Sequence, residues 1–386
     1  MKKFAIIGGG ISGLAVLHYL EKRYADSAQI TLYERNPAVG GTITTQDSQG
    51  FLFETGPNGF LNNQPNTFTF IEELGLSDQL IKGTPKARRD IQLNGRLHAL
   101  PTDLPTFLTT SVLSWADKIA LFQGAFKKDI NTDQSVYDYA CQRFSKGIAE
   151  NLFDPLVKGV FAGDARRLHM ASCFPRGFKP GKLFSLRQGM GQVINRLYER
   201  YTDHIQLNTS VENLDQIKAD TIILSTPAFT AAKLLKMDIL NQMIYAPVAV
   251  FGLGFPESAF KHKPDGFGYL IPSSQNKKVL GVLIESNVFA ARAPQGHLMI
   301  RVMMKEPDEQ TALQELDIIY GLKQKPVYSQ LKFWPQAVPQ YGLKYPALRQ
   351  QIKDELKQKP NVHLCANYLD GISFNDCINN HFNIRV

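Results

Sequence analysis

Phe4-Ala5-Ile6-Ile7-Gly8-Gly9-Gly10-Ile11-Ser12-Gly13 is the stretch from which the architecture of this chain follows. Four apolar residues run straight into G-x-G-x-x-G. An apolar helical stretch from Leu14 to Leu20 comes next, and a second strand from Gln29 to Tyr33 ends at Glu34. Strand, glycine loop, helix, strand and acid in that order make the dinucleotide-binding fingerprint in its required context. Gly8 permits the tight turn, Gly10 lets the backbone approach a pyrophosphate, and Gly13 lets helix and strand pack closely. The helix start at Ile11 and Ser12 offers unpaired N–H groups and partial positive charge to phosphates. The Glu34 carboxylate is placed to accept hydrogen bonds from a ribose.

Six residues after Glu34 stands a glycine pair, Gly40-Gly41, followed by Thr42-Ile43-Thr44-Thr45. The doublet resembles the second FAD signature of glutathione-reductase-type flavoproteins, and more closely that of the amine oxidase and protoporphyrinogen oxidase branch. The resemblance implies FAD as cofactor, with Arg35, Gly40, Gly41 and Thr42 beside it. The bare reading of the same residues is a loop turn.

At 386 residues, 44% of them hydrophobic and 10% aromatic, the chain suits two or three globular domains with a substantial core. No run approaches about 18 apolar residues, so no transmembrane helix is expected. The glycine loop interrupts the N-terminal apolar run too early for a signal peptide, which predicts a cytoplasmic location. Cys141, Cys173, Cys365 and Cys377 form no C-x-x-C pair and imply no disulfide framework. The histidines show no metal-ligand spacing, and no metal is expected. The net charge of +8 is spread along the chain without a nucleic-acid module, so anionic lipid or a polycarboxylate substrate suits it better than nucleic acid.

The predicted fold class is α/β, α+β overall. It has a discontinuous Rossmann-type FAD-binding domain over 1–84, 166–240 and 355–386, and a mixed-sheet substrate domain over 241–354. Residues 85–165 are predicted as a helical unit. Within it, Pro101 to Lys128 is helix-like and greasy, with Trp115, Phe107, Phe122 and Phe126 among Lys118, Lys127 and Lys128. Such a stretch either packs inward as a core-facing helix pair or lies in a bilayer interface. A second helical run covers Ser135 to Lys158. Strand-like runs follow at Pro247–Phe255, Phe267–Pro272, Val279–Ser286 and His297–Met304, suited to cover a large ligand.

Glu54-Thr55-Gly56-Pro57-Asn58-Gly59-Phe60 resembles the E-x-G-P-N-x-F loop of protoporphyrinogen oxidases, and Gly159-Val160-Phe161-Ala162-Gly163-Asp164 resembles their G-V-[FY]-A-G-[DN] motif. Gly266 to Pro272 is similar to their G-F-G-x-L-x-P strand, and Phe289 to Pro294 to their F-x-x-R-A-P turn. Ala337 to Tyr341 matches A-[ILV]-P-Q-Y, and Asn367 to Ile378 the C-terminal flavin-binding run. The chain is identified as a member of the protoporphyrinogen/coproporphyrinogen oxidase family. The resemblance implies oxidation of a porphyrinogen, protoporphyrinogen IX or coproporphyrinogen III, to a porphyrin. FAD would take the electrons, oxygen would remove them as hydrogen peroxide, and the product would pass on to ferrochelatase. Hydride goes to the flavin, so no general base is nominated.

By position the resemblance assigns Gly56, Pro57, Asn58, Gly59, Val211, Thr226, Asn367, Ile372 and Ser373 to the cofactor. It assigns Arg89, Gly159, Leu270, Leu283 and Asn58 to the substrate. Arg89 matches an arginine that pairs with a propionate, a task suited to a guanidinium fork. The two leucines read equally well as plain strand core. The resemblance also implies a membrane-associating unit over 85–165, and so peripheral contact with the cytoplasmic face of the inner membrane. Three departures stand out: Val302-Met303-Met304-Lys305 where relatives end the strand in a glycine pair, Ala366 in place of a glycine, and a trimmed loop at Val211 to Asp220. An amine oxidase or carotenoid desaturase shares the N-terminal signatures, but an amine oxidase should show paired aromatics flanking the flavin near the C-terminus, and Tyr368 is the only clear candidate in the sequence. A flavin-binding porphyrin carrier is the non-enzymatic alternative.

Overall fold

Every residue from Phe4 to Ile7 is buried, because a central parallel strand is covered on both faces and cannot alternate. The computed structural model describes residues 1–84, 88–101, 103–127, 131–177 and 181–380. Along the chain the first strands are β1 (Lys2–Ile7), β2 (Ala28–Tyr33), β3 (Thr45–Ser48), β4 (Phe51–Glu54), β5 (Phe60–Leu61), β6 (Leu80–Lys82), β7 (Arg89–Leu93), β8 (Arg96–Ala99) and β9 (Leu183–Leu186). There follow β10 (Ile205–Gln206), β11 (Thr221–Leu224), β12 (Tyr245–Pro256), β13 (Gly268–Leu270), β14 (Val279–Ile284), β15 (His297–Met304), β16 (Tyr328–Pro339) and β17 (Val362–Leu364).

Two large sheets organise these strands. The first runs β10-β2-β1-β11-β17 and is parallel throughout. It gathers distant stretches of chain, as a discontinuous nucleotide-binding unit requires. The helix Ile11–Tyr24 crosses from β1 to β2 and buries Leu14, Val16, Leu17 and Leu20. The second sheet runs β16-β12-β15-β14-β13-β7-β8 and is antiparallel except where β13 pairs with β7.

The helical reading of 85–165 needs a correction. Arg89–Leu93 and Arg96–Ala99 form a hairpin at one edge of the second sheet, not part of a helical unit. Its turn, Asn94-Gly95, has φ of 50° and 75°, which only a turn rich in Asn and Gly tolerates. The other described elements of that region are helical, among them Leu104–Thr109, Trp115–Phe126, Val136–Arg143, and a π-helical turn Ala149–Phe153 that runs into Asp154–Phe161. Serine or aspartate caps start several of these. Ser114 accepts the Asp117 N–H and Asp103 accepts the Thr106 N–H.

The β3–β4 hairpin packs on the second sheet. Phe51 and Phe53 of β4 dock on β12 opposite Gly254 and Gly252. A side-chain carbon at Gly252 would come within 2.5 Å of the Phe53 ring. Phe51, Phe53, Val250, Met299 and Tyr328 form the resulting apolar joint. The loop that leaves β4, Thr55 to Gly59, is therefore anchored to the second sheet.

Candidate active site

The glycine loop closes against three other segments at the C-terminal ends of the parallel strands, where open α/β sheets bind ligands. Gly8 has φ of 108°, and an added side chain would meet the Ser225 carbonyl at 2.8 Å. At Gly13 the same carbon would lie 2.0 Å from the Gly8 carbonyl, so only glycine lets the helix sit on the loop. At Gly10 it would meet nothing within 4 Å. The Gly40 N–H donates to the Gly9 carbonyl at 2.8 Å, which brings the glycine pair against the loop. Thr42 lies so close to Gly56 that a side chain on Gly56 would reach its carbonyl at 2.1 Å. Ile11, Ser12 and Gly13 open a helix with no side-chain cap and no acid in its first turn.

Glu34 is buried at the end of β2. Its Oε2 accepts the Gly9 N–H at 2.7 Å, and its Oε1 accepts the Asn36 N–H at 2.9 Å and an Asn36 Nδ2–H at 2.7 Å. Arg35 is exposed beside it. Thr209 donates its N–H to the Glu34 carbonyl, which places Val211 at the same end of the sheet. Thr226 Oγ1 and Asn58 Nδ2 are buried polar atoms with no hydrogen-bond partner in the protein. Buried polar groups are nearly always paired, so both point to a polar ligand. An uncapped helix start, an open face at Gly10 and these orphaned atoms together fit a dinucleotide.

The C-terminal segment closes the crevice. Cys365 donates its N–H to the Leu224 carbonyl, extending β17 along β11. Asn367 is held by the Tyr341 hydroxyl, which donates to its carbonyl. Tyr345 donates to the Leu369 carbonyl at 2.7 Å, and Arg349 Nε donates to the same oxygen at 2.9 Å. Ile372 precedes Ser373, whose hydroxyl caps the short helix Phe374–Asn379 by accepting the Asp376 N–H. That N–H and the Ser373 N–H are thus committed within the cap. Ala366 has an extended backbone, φ −150°, so replacing glycine there introduces no strain.

One face of the second sheet carries the residues matched to the substrate. Cross-strand register puts Ile91, Leu270, Gly281, Met303 and Val250 in one row across it. Arg89, Gly268, Leu283, Arg301 and Gly252 form the next. Arg89 is exposed, with its guanidinium 4.8 Å from the Phe267 ring centre and no ion pair among the described residues. Leu270 is half-buried, and Gly159 abuts it: a side chain there would reach Leu270 Cδ2 at 2.8 Å. Leu283 is buried with Val288 and Phe289, and half-buried Met303 packs beside it.

Arg301 and Trp334 tie this face to the cofactor loop, and neither is evident from sequence reading. Arg301 donates to the Gly56 carbonyl at 2.7 Å and to Glu285 at 3.0 Å. Trp334 Nε1 donates to the Thr55 carbonyl at 2.9 Å. Behind the loop, Arg292 is fully buried and bonds Ser185 Oγ and the Arg187 and Leu186 carbonyls. Glu54 accepts from the Met190 N–H and the Thr45 hydroxyl, each at 2.7 Å. Burial, reinforced by Glu285, pushes the Glu54 carboxyl up to about 7 against the opposing pull of those bonds and of Arg292. Tyr368 is fully buried in the core, so it offers no aromatic wall to a substrate.

A family model for flavin containing amine oxidoreductases matches residues 11–380. The chain belongs to that family. This flavin-containing oxidoreductase uses FAD, and the crevice between the glycine loops and the Asn367–Ser373 segment would hold it. It is 26% identical to protoporphyrinogen oxidase 1 of Spinacia oleracea chloroplasts, across 97% of this chain and 81% of that protein. It is 23% identical to coproporphyrinogen III oxidase of Bacillus subtilis, across 98% and 96% respectively. A solved structure from Exiguobacterium sp. 255-15, itself a protoporphyrinogen oxidase candidate, shares the fold with a TM-score of 0.85 and 23% identity. That alignment covers 99% of this chain and 97% of that one.

Proposed function

We propose that this flavoprotein oxidises a porphyrinogen to the corresponding porphyrin, with oxygen as acceptor and hydrogen peroxide as product. The carrying observation is an apolar sheet face, Leu270, Gly281, Leu283 and Met303, linked through Arg301 to the cofactor loop at Gly56 and edged by the unpaired Arg89. Such a face suits a flat, greasy ring with an acidic margin. Bound FAD supplies the two-electron chemistry and its return by oxygen. The protein's own part is to bind and orient. Ile11, Ser12, Glu34 and Asn58 would hold the cofactor, Leu270 and Leu283 would seat the ring, and Arg89 would pair with a propionate. Glu54 and Glu285 are buried at 0% exposure, so neither is offered as a base. The spinach and B. subtilis relatives carry the names of two porphyrinogen oxidations, so the reading is of the class. Tyr368 in the core counts against an amine substrate.

Purified yellow protein in air should produce porphyrin fluorescence from protoporphyrinogen IX or coproporphyrinogen III. Retained flavin with no gain from either, and turnover of simple amines instead, would sink the proposal.

The same reading includes peripheral membrane contact. Among the described residues no helix is long and apolar enough to span a bilayer. On Trp115–Phe126, however, Trp115, Ile119, Phe122 and Phe126 form one stripe and are 57–70% exposed, with Leu104 and Leu108 exposed nearby. The core-facing alternative does not describe this face. Lys118 is no headgroup anchor: it turns inward, donates to the Leu108 carbonyl at 2.8 Å and lies over the Trp115 ring. Lys127 bonds the Gln142 carbonyl, and Lys128 lies outside the described residues.

A further inference from the structure

Asp154, Lys158 and Ala162 stand four residues apart and form one row along the helix Asp154–Phe161 and its C-cap. The two ends of the row are accounted for. Asp154 is buried and accepts the Ser273 N–H at 2.6 Å and its hydroxyl at 2.9 Å. Ala162 packs with Ala246 and Leu280. Lys158 lies between them at 7% exposure, with no hydrogen bond and no ion pair among the described residues. Asp154 is near enough to favour its charge, but both carboxylate oxygens are engaged with Ser273. Desolvation by burial opposes the charge most strongly, and Lys305, just past β15, opposes it further.

A buried ammonium without a partner is unfavourable unless an anion completes it. Its surroundings name the anion's source. The next residue is Gly159, which abuts Leu270 on the proposed ring-binding face, and the helix packs on β13 and β14. Arg89 on β7 marks the other side of that face. β7 and β14 are two strand spacings apart, about 10 Å. The face thus carries unpaired cations toward both ends.

We propose that Lys158 is a carboxylate-binding residue of the substrate site, and that with Arg89 it selects a tetrapyrrole bearing carboxylates on more than one edge. This rests on the porphyrinogen reading and narrows it. Coproporphyrinogen III carries a propionate on every ring and can meet both cations. Protoporphyrinogen IX carries its two propionates on one edge and can meet only one.

The test uses the FAD-loaded full chain and Lys158→Met, which keeps the stem and removes the charge. Steady-state KM is measured for both porphyrinogens, and Kd for both porphyrins. Lys158→Met should raise KM and Kd for the tetracarboxylate about 10- to 100-fold, as for a lost charged hydrogen bond, and those for the dicarboxylate less than about threefold. Lys158→Arg should restore most of the loss, and FAD content should not change. Wild-type protein should bind coproporphyrin tetramethyl ester more weakly than the free acid by more than the Lys158→Met loss, since the ester forfeits the Arg89 pair as well; the wild-type comparison of ester with free acid stands even if the variant folds poorly. Unchanged tetracarboxylate binding, or an equal loss for both compounds, would overturn the assignment while leaving the porphyrinogen reading intact. Wild-type protein inert toward both substrates would overturn that reading, and this assignment with it.

Discussion

Arg301 sits in the run His297 to Met304, where all its neighbours but His297 are apolar and all but His297 and Met303 are buried. A charge in that setting needs a buried partner, and that was the signal available in the sequence. The partners themselves, Glu285 and the Gly56 carbonyl, are separated from it by loops and could not be read from spacing. We predict that Arg301→Met destabilises the protein by about 3–5 kcal/mol by leaving Glu285 buried and unpaired. It should also loosen FAD, seen as released flavin fluorescence. Arg301→Lys should not rescue, because an ammonium cannot serve both acceptors in the guanidinium's fork geometry. Full retention of FAD and of melting temperature in Arg301→Met would refute the clamp.

Glu54 gives the residue scale a pH dependence. Its carboxyl titrates near 7 in the fold against 4.5 for the ordinary group, so the folded state holds the proton longer than the unfolded chain. The associated stability is fully present below about pH 4.5 and is lost as pH rises through 7. Glu54→Gln should therefore gain stability on wild type between pH 5 and pH 8, by up to about 3 kcal/mol, read from denaturant unfolding at each pH. A constant difference across that range would show that the carboxyl ionises normally.

At the scale of elements, the nucleotide-binding unit was legible because its signals are local. β1, the glycine loop, the helix and β2 follow one another with the spacing the ligand demands, and each fell within a few residues of its expected place. The β7–β8 hairpin is hidden in the sequence, although Asn94-Gly95 is a strong turn signal, because charged Arg88, Arg89, Asp90 and Arg96 break the alternation around it. β16 is hidden for a related reason: an edge strand carrying Lys332, Gln330 and Pro335 does not read as buried. The greasy helices posed the opposite difficulty, since periodicity alone does not distinguish a core face from an exposed one. We predict that Trp115→Ser with Phe122→Ser abolishes flotation with anionic liposomes. Each lost side chain should weaken the interaction by about 1.5–3 kcal/mol, while turnover in detergent stays the same. Equal flotation of the double variant would exclude this stripe as the contact.

Across the whole molecule, the proposed cofactor crevice is assembled from segments near residues 8, 34, 40, 56, 226 and 367, and the proposed substrate face from strands that lie between them in sequence. No local pattern reports that β7 pairs with β13, some 180 residues later, so the site's second half had to come from family resemblance rather than from spacing. An assembly of this kind is held together partly by its ligand. FAD at 100 times its Kd should stabilise the apoprotein by about 2.7 kcal/mol and raise its melting temperature. Absence of a shift at saturating FAD would contradict the crevice described above.

Met303 has a further consequence. Its thioether is half-buried on the face where the ring would be seated, in a protein proposed to release peroxide with each electron pair it passes to oxygen. Thioethers oxidise to sulfoxides, turning a pliable apolar side chain into a polar one. Each catalytic cycle would then wear the wall on which the next ring must lie, and the working life of the enzyme would be counted in turnovers rather than hours. Mass spectrometry after prolonged turnover should find sulfoxide on Met303 ahead of the fully buried Met299, with catalase in the mixture slowing its appearance.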